Sequence, residues 1–199
     1  MASQGNQESL KNALNIYSWL IKNELFAGKD GDNLAMNSDI VPAYRKLLLV
    51  SGDYVGSIEA TKTHLDYLRS TGKIDHQIRR GWLEVISIQI GMGDIYALDA
   101  TLQAFAKDAP NGFAHDEYTV GHDLKQAVQK DDYVQVMAVV KKPIFSFLEA
   151  EAVKLLKSVA DPKAREQQER DQEIEDPKKI VDPIKKEEEK KEQVFNSFL

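Results

Sequence analysis

The sequence contains no cysteine, which excludes disulfides and cysteine-ligated metal sites and suits a reducing compartment. It lacks an apolar h-region in its N-terminal stretch MASQGNQESL, and it lacks any apolar run, uninterrupted by charge, long enough to span a bilayer. No sign of charge dominates. Its 26 basic and 32 acidic residues leave a net charge of −6, which argues against a nucleic-acid binder driven by bulk charge. The expectation is a soluble, cytoplasmic protein whose 199 residues build one substantial core plus appendages.

Motifs for catalysis are missing too. Gly91-Met92-Gly93 is a G-x-G with neither a third glycine nor a preceding strand, and there is no Walker-type lysine loop. Asp30, Asp32 and Asn33 open like a calcium loop, but Leu34 and Val41 then stand where oxygen ligands are required. His115 and His122 share one face of a predicted helix, whereas zinc needs three or four converging ligands. The sequence thus predicts no enzyme, no cofactor and no metal.

What is present is helical periodicity with a recurring turn. Within Asp75 to Lys107, Ile78, Trp82, Val85, Ile86 and Ile90 recur at the three-and-four spacing of a helix face. Gly93 can end that helix in a left-handed conformation, and Asp94 can cap the next, whose inward face is read as Tyr96, Leu98, Leu102 and Phe105. The same punctuation recurs at Gly52-Asp53-Tyr54-Val55 and at Asp131-Asp132-Tyr133-Val134. Asp53 to Asp94 is 94 − 53 = 41 residues and Asp94 to Asp132 is 132 − 94 = 38. A period of about 40, each copy a helix, a tight turn and a helix, predicts an all-α, TPR-like α-solenoid. Tyr54, Tyr96 and Tyr133 are expected at equivalent second-helix starts.

In order, helices are expected over 7–27, from Ile40 to about Val50, to Ser70, over 78–92, 95–105 and 113–129, over 133–140, and last over 144–159. That is about eight helices, or four antiparallel hairpins, in a domain spanning 1–160. From Asp161 three Asp-Pro pairs and dense charge, twelve acidic against nine basic residues, read as a separate partly helical or disordered tail, 161–199. It ends in apolar Phe198-Leu199. The adjacent cations Arg45-Lys46 and Arg79-Arg80 lie on predicted first helices, which commonly line a solenoid's concave face. They are the candidate basic face for an acidic helical partner.

The run 127–159, with its step Lys142-Pro143-Ile144-Phe145, resembles the last hairpin region of the soluble NSF attachment proteins, nearest the gamma type. Ser87 to Phe105 and Leu49 to Leu68 resemble the preceding hairpins, so the resemblance covers roughly 17–159. It implies a short or N-terminally truncated adaptor of vesicular membrane traffic, peripherally associated with membranes through its partners. Such an adaptor binds SNARE proteins through a concave basic face and recruits the NSF ATPase that dismantles their bundle. NSF contact would fall to Asp131 and Asp132, since Lys125, Gln129 and Lys130 stand where the family carries carboxylates, and to Phe198 and Leu199 at the tail tip. The other reading of the same architecture is a helical-repeat scaffold with unrelated partners.

Overall fold

A helix near the middle of the chain, buried throughout its C-terminal two-thirds, organises the rest. The computed structural model describes residues 2–23, 40–70, 75–109 and 115–160. Among these, all regular structure is helical: α1 (Ala2–Asn23), α2 (Ile40–Ser51), α3 (Tyr54–Ser70), α4 (Asp75–Gly91), α5 (Leu98–Asp108), α6 (Asp116–Gln129), α7 (Tyr133–Val140), a 3-10 turn (Pro143–Phe147) and α8 (Ala150–Val159). Asp30, Asp32 and Asn33, weighed as a calcium loop, and the 161–199 tail lie outside the described residues.

From Gly81 to Gly91 every residue of α4 is buried, because α3, α5, α6 and α8 all pack on it. Burial on all sides, rather than on one stripe, accounts for a helix whose apolar residues run around its circumference. Leu83, Val85, Ile86, Ile88 and Ile90 are wholly inside, each worth about 1.5–3 kcal/mol of hydrophobic stabilisation.

The three predicted turns share one construction. Gly52, Gly93 and Asp131 have φ of +81°, +77° and +53°. Their amides donate to the carbonyls of Leu49, Ile90 and Val128 at 3.1, 2.9 and 3.1 Å. The next amides, of Asp53, Asp94 and Asp132, donate to Leu48, Gln89 and Ala127, each at 2.9 Å. This is a Schellman motif made three times. Each aspartate then accepts from the amide three residues on: Gly56 at 2.9 Å, Ala97 at 3.3 Å and Gln135 at 2.9 Å. In the third copy an aspartate takes the left-handed position that glycine holds in the other two, a conformation Asp tolerates better than most residues.

The register differs from expectation at one tyrosine. Tyr54 and Tyr133 open α3 and α7, but α5 begins only at Leu98, so Tyr96 lies in the turn. The half-buried equivalents are Tyr54, Ile95 and Tyr133; one residue later come Val55, Tyr96 and Val134, exposed by 55, 98 and 83%. Tyr96 is therefore not on the inward face of α5, and Ile95 supplies the core contact instead.

Cross-helix contacts set α6 alongside α4. Arg79 reaches Glu117, and Ile86 lies against Gly121, so α4 and α6 run in the same direction with their turns at one end. Leu155 touches Gly91 and also lines a cavity with Leu49, Gly52 and Tyr54, which brings the first turn to that end as well.

The last apolar stretch is not one helix. Lys142 is extended, Pro143 starts the 3-10 turn, and Leu148 and Glu149 are extended again (ψ 163° and 130°) before α8. Phe145 before the break and Ala152 and Leu156 after it are all buried, so both segments face the core. The Glu149 amide, freed from a helical bond, donates to Glu84 Oε2 at 3.4 Å. α8 then packs more on α4 than on its sequence neighbour α7, and also reaches α2.

Candidate functional site

The four cations expected on one basic face have different fates. Arg45 on α2 is mostly buried and ion-paired with Glu84, itself buried on α4. Arg79 bridges Asp75 within α4 and Glu117 on α6, the latter at 3.2 Å. Lys46 is exposed. Arg80 is half-buried, has no carboxylate partner among the described residues, and places its guanidinium 4.0 Å from the centroid of the Phe147 ring. Two of the four charges therefore tie helices together, and the open positive charge of the group resides in Lys46 and Arg80.

Arg80 and Phe147 form the shared wall of two clefts. One, of about 510 Å³, also has Asp116, Glu117, Thr119, Lys142 and Ile144 on its sides. The other, of about 210 Å³, is bounded by Arg45, His64, Gln77, Glu84 and Glu149. The Lys142-Pro143 step creates the wall: Pro143 starts a 3-10 turn whose Phe145 is buried, leaving Phe147, two residues on, 61% exposed above Arg80. A cation over an aromatic face is held by the ring quadrupole, which orients the guanidinium without neutralising it.

The smaller cleft is electrostatically loaded. Burial, together with the nearby Glu84 carboxylate, holds the Glu149 carboxyl above the usual glutamate range, and Arg45 and Lys46 oppose that shift. Glu84 is the hub, accepting from Arg45 and from the Glu149 amide.

Asp131 and Asp132 are exposed at the third turn. Asp132 caps α7, and Asp131 accepts from the Tyr133 hydroxyl at 2.9 Å, so both shape the turn they were expected to present to a partner. Phe198 and Leu199 lie outside the described residues. His115 precedes α6, His122 is exposed on it, and among the described residues no three His or carboxylate side chains converge to hold a metal. No helix among the described residues is long and apolar enough to cross a membrane.

Sequence reasoning missed Phe147, Glu84 and Glu149. Glu84 sits inside an apolar helix pattern, and an isolated acid at a core position was the available signal. Nothing local marks Phe147 as exposed beside a buried Phe145, because the 3-10 geometry decides it. The sequence matches no protein-family model and no curated protein.

Proposed function

We propose that this chain is a helical-repeat adaptor, a TPR-like α-solenoid of the soluble NSF attachment protein type. In this reading it binds assembled SNARE bundles and recruits the NSF ATPase for their disassembly. The observation that carries the proposal is the threefold turn, one hydrogen-bonding pattern repeated 41 and 38 residues apart (94 − 53 and 132 − 94), with the associated helices α4 and α6 running side by side. A chain that repeats one hairpin unit presents a long surface to a long partner, as stacked helical repeats do. The Lys142-Pro143-Ile144-Phe145 step adds to it, since it stands in order and spacing where the family resemblance requires.

Lys46 and Arg80 would present positive charge to the acidic bundle, while Arg45 and Arg79 hold the presenting helices in place. Asp131, Asp132 and the tail tip Phe198-Leu199 would meet NSF, the tail keeping its apolar end at high local concentration once the body is bound. Membrane association would be peripheral and through these partners, with no nucleic acid involved. A second reading, a scaffold for another assembly, draws support from the row of exposed Val55, Tyr96 and Val134 beside the turns.

The test is capture of an assembled SNARE bundle by the immobilised full chain, with and without NSF. Retention of the bundle at low salt, recruitment of NSF and faster ATP hydrolysis are expected. Deleting Phe198 and Leu199 should spare bundle capture and reduce the stimulation. Failure to retain any bundle at low salt would remove the adaptor reading and leave the scaffold.

A further inference from the structure

The inference concerns the larger cleft and rests on the reading that an acidic helix is the partner. Arg80 is the unusual cation of this fold. Its neighbours Arg45 and Arg79 each have a carboxylate, whereas Arg80 has none among the described residues; its Nε is buried without a hydrogen-bond partner, as is that of Arg45. Its charge is desolvated on one side by the Phe147 ring and open on the other to a cleft of about 510 Å³.

The other charges of the cleft are largely spoken for. Glu117 is engaged by Arg79 at 3.2 Å, and Lys142 by Asp123 at 3.0 Å. Asp116 remains as an exposed carboxylate on the lip, with no ion pair among the described residues. Beside Arg80 run Pro143, Ile144 and Phe147, an apolar wall built by the 3-10 turn. A guanidinium bounded by an apolar strip suits a carboxylate side chain next to an apolar one, the pattern that an amphipathic helix shows at three- or four-residue spacing.

We propose that the Arg80–Phe147 cleft seats a single acidic side chain of a partner helix, with an apolar side chain one turn away against Ile144. The planar guanidinium, already oriented by the ring, receives the carboxylate without first breaking a hydrogen bond or ion pair to the described residues. Asp116 repels a second acid at the lip, so the cleft reads the position of one carboxylate rather than total negative charge.

The experiment measures binding of the full chain to an assembled SNARE bundle and, separately, to a fluorescein-labelled amphipathic peptide carrying Glu and Leu at that spacing. A Glu-to-Gln version of the peptide is the control. Arg80→Gln is expected to weaken both interactions by about tenfold, the scale of a lost charge-assisted hydrogen bond. Arg80→Lys should restore only part, because a point charge cannot reproduce the fork. Phe147→Ala, at an exposed site and with unchanged thermal unfolding, should weaken binding too, and Asp116→Asn should tighten it. Should the wild type bind the bundle while Arg80→Gln and Phe147→Ala bind it equally well, the cleft proposal is overturned and the adaptor reading stands. Should the bundle not bind at all, the adaptor reading fails, and the peptide decides the cleft: preference for the Glu peptide that Arg80→Gln abolishes supports it, and indifference between the two peptides overturns it.

Discussion

Arg45 of α2 and Glu84 of α4 form an ion pair that spans two hairpins and is closed on almost all sides by protein. The pair is part of the fold's construction, since Glu84 also takes the amide of Glu149 where the chain enters α8. Removing one partner leaves the other charged and buried. Arg45→Ala should destabilise the fold by roughly 3 kcal/mol, seen as an earlier midpoint in urea unfolding. A midpoint within error of the wild type would show that water reaches Glu84 freely.

The packing of α8 on α4 gives a second expectation. A Cβ on Gly91 would lie 2.4 Å from Leu155 Cγ and 3.2 Å from its carbonyl carbon. Gly91→Ala should therefore cost about 1–3 kcal/mol despite the better helix propensity of alanine. In a Leu155→Ala background the same substitution should cost much less, because most of the clash is with that side chain. Equal costs in both backgrounds would place the strain elsewhere.

The Glu149 carboxyl predicts the sign of a pH effect. Its pKa in the fold is raised, first by burial and next by Glu84, against Arg45 and Lys46; His64 and Arg80 line the same cleft. The folded chain thus binds the proton more tightly than the unfolded one. Its contribution is fully present below the ordinary glutamate value of 4.5 and is lost as pH rises through the raised value. Glu149→Gln should raise stability at neutral pH and flatten the profile just above 4.5. Denaturant midpoints across pH check this, and an unchanged profile in the variant would assign the slope to another group.

Lys46 separates binding from folding. It is exposed, so Lys46→Glu should weaken capture of an acidic bundle a few-fold, most at low salt, with only a small loss of thermal stability from the acid it adds near Glu149. Arg79→Glu, by contrast, should lower stability first, since Glu117 would then face a like charge. Reversing Arg45, Lys46, Arg79 and Arg80 together would mix the two effects. Undiminished capture by Lys46→Glu at low salt would take this residue out of the interface.

The corrected register of the second turn is also open to test. Tyr96→Ser should change stability by no more than about 0.5 kcal/mol, whereas Ile95→Ala should cost about 1 kcal/mol or more. The reverse order would put Tyr96 back on the inward face of α5.

What the sequence determined by itself is local. Three-and-four periodicity placed α4, α7 and most of the other helices, and the Gly-Asp and Asp-Asp turns were legible because a left-handed residue followed by a capping aspartate is chemistry contained within about six residues. Tertiary contacts decided the rest. Whether Ile95 or Tyr96 turns inward depends on where α5 begins, and at the split of the last helix the Glu149 amide is taken by Glu84 of α4 rather than by a helical carbonyl. The candidate site belongs to the same category. Arg45, Arg79 and Arg80 are alike in sequence, and only the carboxylates brought in from α4 and α6, and the ring brought in by the 3-10 turn, make two of them struts and leave the third an open cation.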